Sequence, residues 1–197
     1  MNFIGSKTLE TDRLILKAQT MNEQRRLWEI LMIPEVNDVY LTTPSKFREK
    51  LKDWEKQEPF YEKKIERAND GDVFEWSIFL KENNKCIGKI DYHEGNSEDS
   101  TVNDKSIRGV GWYIDPEYQG LGYGTEAAKV TLDYMFKDVN ISEIRTGAAI
   151  FNEPSFKIMD KLGFKRLEDT QFVNYTYRDE PVEDYKYVIT KDDYFNK

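Results

Sequence analysis

The chain has 197 residues, with 29 Lys plus Arg against 37 Asp plus Glu and a formal charge of −8. Its length and its four Trp, eleven Phe and twelve Tyr suit one globular domain, residues 1–197, with a substantial core, and exclude a collagen-like or disordered chain. The acidic balance disfavours nucleic acid and anionic membrane surfaces as partners and is compatible with a cationic substrate.

Leu14, Ile15 and Leu16 predict a short opening strand, and a helix over residues 21–33 places Leu27, Trp28, Ile30 and Leu31 at helical spacings before Pro34 ends it. Pro44 and Ser45 offer a second start with Ser45 as cap; Phe47, Leu51 and Trp54 follow at helical steps, and Pro59 interrupts before a piece ending near Ala68. The basic runs at residues 50–56 and 63–67 are interleaved with acids, the pattern of a solvated helix face. After a turn at 69–72, residues 73–80 alternate as a strand, residues 82–85 form a hairpin connection, and Cys86 opens a second strand to Tyr92.

Cys86 is the only cysteine, which excludes an intramolecular disulfide framework and a cysteine-based zinc site; no metal is expected, and a reducing, cytoplasmic location is. Its place at the head of an apolar run suits a core residue better than a nucleophile. Residues 1–7 lack an apolar signal-type segment, and no apolar run reaches membrane-spanning length. Residues 95–105, rich in Asn, Ser and Asp, predict a loop within the domain.

Residues 107–114 predict a strand, 115–124 a loop and 125–139 a helix with Ala128, Leu132, Met135 and Val139 on one face. A strand at 143–150, a helix from Pro154 to Leu162 stopped by Gly163, and strands at 164–167, 172–177 and 184–190 complete an alternating α/β pattern with antiparallel pieces.

Gln119, Gly120, Leu121, Gly122, Tyr123 and Gly124 lie between a predicted strand and a predicted helix, where backbone N–H groups and a helix N-terminus can converge on a phosphate. A tight turn that binds nothing would use the same glycines. No Lys-Ser or Lys-Thr pair follows, as a Walker-type loop requires, and the glycine spacing and late position do not fit a dinucleotide fingerprint.

The stretch resembles the Gcn5-related N-acetyltransferase family (GNAT), and within it the ribosomal-protein N-terminal acetyltransferase-like branch. Gln119, Gly122 and Gly124 match its glycine signature, flanked by residues 111–118 and 125–128. Asn152 to Ser155 with Lys161 to Phe164 is similar to its second block, and Leu9, Thr11, Arg13, Leu14 and Leu16 to its opening. The resemblance covers most of the chain. It implies a mixed, mostly antiparallel twisted sheet of about seven strands flanked by helices, and acetyl transfer from acetyl-CoA to a primary amine on a protein N-terminus or small molecule. A catalytically silent acyl-CoA-binding module is the alternative.

By this resemblance Gly120, Leu121, Gly122, Tyr123, Gly124 and Thr125 hold the pyrophosphate, and Gln119 adds its side chain. Pantetheine lies between splayed strands against Trp112, Tyr113 and Ile114, and Asn152 touches it. The amine must lose a proton on the way; Glu75, Asp91, His93, Glu94 or water are open as the base. Many relatives carry a Tyr seven residues after the Asn as proton donor; here that position is Met159. Ser155, one helical turn earlier, is the catalytic candidate, with Tyr113, Tyr118 and Tyr123 behind it. A first-turn Ser that only bonds backbone is the competing reading.

Overall fold

A computed structural model describes residues 1–68, 70–94 and 104–196. Most of the loop expected at 95–105 lies outside them. Eight strands form one sheet in the order β1-β2-β3-β4-β5-β6-β8-β7: β1 (Leu9–Glu10), β2 (Leu14–Ala18), β3 (Phe74–Leu80), β4 (Cys86–Glu94), β5 (Ile107–Ile114), β6 (Glu143–Ala149), β7 (Lys165–Val173) and β8 (Val182–Thr190). Every neighbouring pair is antiparallel except β5 with β6. The mixed, mostly antiparallel sheet expected from the resemblance is therefore present, with one short strand more.

The central strands bury both faces of the sheet because they carry apolar side chains on both, while β7 at the edge is largely exposed. On one face Phe74, Trp76, Ile78, Ile90, Val110, Ile114 and Ile144 pack against α5 (Tyr123–Tyr134) and α6 (Glu153–Leu162), with Leu132, Phe136 and Met159 fully buried between. Each such side chain contributes about 1.5–3 kcal/mol on leaving water, so this layer dominates the core. On the other face Leu27, Ile30 and Leu31 of α1 (Met21–Leu31) and Val36 of α2 (Pro34–Tyr40) cover Cys86 and Tyr113. Burial pushes the Cys86 thiol up to about 12, as suits a core residue rather than a nucleophile.

Several boundaries differ from the sequence expectation. α1 stops at Leu31, and Pro34 opens α2 rather than merely ending a helix, since the missing N–H at the first position is one that a helix does not use. Ser45 is not a cap: Ser45–Phe47 is a 3-10 turn entered from Pro44, leading into the short α3 (Arg48–Leu51). Pro59 does not interrupt α4 (Trp54–Glu66). It is exposed, as is Glu55, so the carbonyl that loses its partner can turn to water. α5 begins two residues early and continues from Met135 to Val139 as a π turn. The strand expected at 172–177 is absent, because β7 runs through to Val173 and residues 174–181 turn back toward β8. A short α7 (Lys191–Phe195), which the sequence analysis did not anticipate, follows β8.

α1 is set by a capping box. The Thr20 hydroxyl accepts from the Asn22 amide, and Glu23 accepts from the Thr20 amide at 2.7 Å. Glu23 also accepts from the Ser77 hydroxyl of β3 at 2.8 Å, tying the helix to the sheet. Thr20→Ala is expected to lower stability by about 0.5–2 kcal/mol, read from the urea midpoint at unchanged m-value.

Candidate active site

β5 and β6 pair at three positions only: Ile107 with Glu143, Arg108 with Ile144 and Gly109 with Arg145. Beyond them residues 111–114 keep β4 alone as a neighbour and residues 146–149 keep β8 alone. The last tie is the Thr146 hydroxyl donating to the Val110 carbonyl at 3.0 Å. A cavity of about 640 Å³ opens in the gap. Trp112, Tyr113, Ile114, Thr146, Gly147 and Ala148 line it from the strands, α5 and α6 from one face, and Val36, Val39 and Tyr40 of α2 from the other. The cavity therefore passes through the sheet. Strand edges that face a gap carry free N–H and C=O groups, which an extended amide-bearing chain can satisfy.

The glycine loop borders this gap on the α5 side. Gly120 and Gly122 have φ of +75° and +86°, the left-handed region that other residues rarely adopt. Gly122 is also the N-cap of α5, and no described side chain caps it, so the first-turn N–H groups of Tyr123, Gly124 and Thr125 have no partner among the described residues, at a cavity wall that these residues form. Gly124 serves a different end: a Cβ there would stand 2.9 Å from Ile158 Cδ1, so the glycine allows α5 and α6 to close up. The Gln119 amide donates to the Ile114 carbonyl at 2.8 Å and fastens the loop to the end of β5. Leu121 is exposed and does not line the cavity; its carbonyl accepts from Arg13 at 3.0 Å.

Arg13, which in the sequence stands out only within the family-like opening, staples this loop. It pairs with Glu126 of α5 at 2.6 Å and lies over the Tyr123 ring at 4.4 Å. Thr11 donates to the same Glu126. The spacing Thr11-x-Arg13 before the first long strand is the signal that could have placed both residues at the site.

At the end of β6, Asn152 caps α6: its side-chain oxygen and its carbonyl both accept from the Ser155 amide, at 3.4 and 3.1 Å. Ser155 is thus capped rather than capping, and no described residue bonds its hydroxyl. Asn152, Ser155 and Met159 all line the cavity, Met159 as a fully buried apolar wall that can give no proton. Tyr118 and Tyr123 line it as well, while the Tyr113 hydroxyl points away and donates to the Leu27 carbonyl at 3.1 Å.

None of the four candidate bases lines the cavity. Glu75 is paired with Lys64 at 2.6 Å, and Glu94 is exposed at the end of β4. His93 lies across Gly109, 62% exposed. Asp91 is paired with Lys89 at 2.8 Å and accepts from the Tyr40 hydroxyl at 2.7 Å, so it meets the cavity only through Tyr40. Burial opposes the charged form of Asp91, yet Lys89 together with the hydrogen bonds from His93 and Tyr40 outweighs burial and holds the carboxyl well below the usual range. A carboxylate so stabilised is a weak proton acceptor. Sequence reasoning missed the α2 wall altogether, although Pro34 with Val36 and Tyr40 at helical spacing carried the signal.

A sheet parted between two parallel strands, with an uncapped helix N-terminus and a glycine loop at the opening, is the architecture of an acyl-coenzyme A-dependent transferase. The chain belongs to the acetyltransferase (GNAT) domain family, whose model matches residues 13–165. It is 32% identical over 99 residues to the uncharacterized N-acetyltransferase YnaD of Bacillus subtilis, a match covering 50% of this chain and 54% of that one. The chain thus spans about half the length of this relative. It is 40% identical over 68 residues to spermidine N(1)-acetyltransferase of Escherichia coli, 33% of this chain and 37% of that one. The fold matches the ribosomal-protein-S5-alanine acetyltransferase of Vibrio fischeri with a TM-score of 0.75 at 20% identity, covering 96% and 99% of the two chains. Acetyl transfer from acetyl-CoA to an amine is the reaction of this family. No helix among the described residues is long and apolar enough to cross a membrane.

Proposed function

We propose that residues 1–197 act as one cytoplasmic acetyltransferase domain whose acceptor is a small cationic primary amine. The cavity through the sheet carries this reading, because it lets a thioester and an amine enter from opposite faces and meet in the gap. The amides of Gly120 to Thr125, with the positive end of α5, hold the pyrophosphate, and the free edges of β5 and β6 hold the pantetheine amides beside Asn152. Glu35 lines the acceptor side, where its carboxylate attracts an ammonium. The partial match to a spermidine acetyltransferase and the charge of −8 agree with it.

Release of free thiol from acetyl-CoA, measured with spermidine, an alanine-terminated peptide and a neutral amine, tests the acceptor class. Spermidine is expected to turn over fastest, with kcat/KM falling roughly tenfold or more as salt rises. Turnover confined to neutral or acidic amines would remove the cationic acceptor. Coenzyme binding without turnover of any amine would leave a silent acyl-CoA-binding module.

A further inference from the structure

Behind the cavity wall stands a buried carboxyl that the mechanism has not used. Asp184 of β8 is 4% exposed and sits between Ala149 of β6 and Gln171 of β7. Both its oxygens lie within 3.0 Å of one donor, the Tyr175 hydroxyl, whose single proton leaves most of the carboxylate's acceptor capacity unfilled. Among the described residues no cation pairs with it. Lys186, two residues along β8, is held by Asp169, and Arg178, in the turn that carries Tyr175, is held by Asp38 and lies over Phe151. β6 and β7 present only Ala149, Gly147 and Gln171 directly to it.

Gly147 separates Asp184 from the cavity, and it has no side chain to fill the space. A Cβ at Gly147 would stand 3.2 Å from Gln171 Nε2, 3.3 Å from the Tyr185 carbonyl oxygen and 3.7 Å from Asp184 Oδ2. A methyl there would already be tight, so the bare α-carbon is what keeps the Asp184 carboxylate and the Tyr185 carbonyl close behind the cavity wall, acceptors that an apolar ligand would leave unsatisfied.

We propose that Asp184 is a catalytic residue that receives the acceptor's ammonium across Gly147 and takes one of its protons. This rests on the acetyltransferase reading above. Proton transfer turns the ammonium into a neutral amine and the carboxylate into a carboxylic acid; the amine then forms the C–N bond at the thioester carbonyl. On collapse the C–S bond breaks, and the second nitrogen proton ends on the thiolate as free thiol. Asp184 returns its proton to solvent. Burial suits the carboxyl to this task, raising it to about 6, closer to neutral pH than an ordinary Asp.

The test uses the whole chain with acetyl-CoA and spermidine, or the alanine-terminated peptide if that is the faster acceptor. Wild-type turnover comes first; if no amine reacts, the reaction assignment fails and not this residue. Given turnover, kcat/KM should rise with pH through about 6 in the wild type. Asp184→Asn should lose that limb and fall by about 10²–10⁴-fold, with acetyl-CoA affinity unchanged. A variant that keeps both the limb and kcat/KM within tenfold would overturn the proposal. Gly147→Ala, which keeps the carboxyl and sets a methyl 3.7 Å from Asp184 Oδ2 at the cavity wall, covers the case in which Asp184→Asn does not fold. It should raise KM for the amine several-fold and leave acetyl-CoA affinity alone; an unchanged KM would also overturn the proposal.

Discussion

Gly122→Glu is expected to abolish coenzyme A binding, seen as loss of both the heat of binding and the thermal shift. In the wild type, ligand at a hundredfold its Kd should add about 2.7 kcal/mol of stability, because only the folded state binds. The substitution places a carboxylate at the N-cap of α5, where unpartnered N–H groups and the helix dipole favour an incoming anion. It also forces a side chain onto a backbone at φ +86°, beside Arg13 Nη2 at 3.4 Å from the added Cβ. That strain alone removes roughly 1–2 kcal/mol, so a lower Tm with a preserved far-ultraviolet spectrum is expected. Gly122→Ala carries the strain without the charge and should retain weakened binding. If the Glu variant binds coenzyme A with wild-type affinity, the pyrophosphate does not sit at this loop.

Ser155→Ala should lower kcat and kcat/KM together by about 10²–10⁴-fold if the hydroxyl protonates the leaving thiolate or orders the water that does. Acetyl-CoA affinity should stay the same. Stability should hold within about 0.5 kcal/mol, since the cap of α6 is Asn152 and the Ser155 hydroxyl supports no other described residue. Asn152→Ala gives the contrasting pattern, a loss of roughly 0.5–2 kcal/mol from the missing cap. Full activity per folded molecule in Ser155→Ala would turn the search to Tyr118 and Tyr123, which line the cavity; Tyr113 is already committed to Leu27 on the other side of β5.

The parts legible in the sequence are those in which local chemistry and tertiary role coincide. Gly120 and Gly122 stand out because a loop that bends left-handed and stays bare needs glycine, and Pro154 reads as a helix start because it does stand in the first turn of α6. Pro34 and Pro59 mislead, since one residue type ends, opens or rides within a helix according to which carbonyl is left facing water. The acceptor wall was missed for the same reason: with Pro34 taken as a stop, Val36 and Tyr40 were not joined into one helix face. Asp184 was invisible for another. Its pairing with Tyr175 and its nearness to Gly147 are set by sheet register across three strands, and no spacing along the chain encodes them.

The three-rung junction between β5 and β6 also bears on how the chain reaches its native state. β3 and β4 join over residues 81–85, and β7 and β8 over residues 174–181, so these ladders close small loops. The β5–β6 rungs reward the chain only after the whole crossover through α5 has been closed, at greater entropic cost and with few hydrogen bonds in return. Contacts around the gap therefore belong to the late side of the folding barrier. Substitutions that line it should leave the folding rate near that of the parent and act on the unfolding rate, so a damaged site would show itself as a shorter-lived protein rather than one that fails to fold.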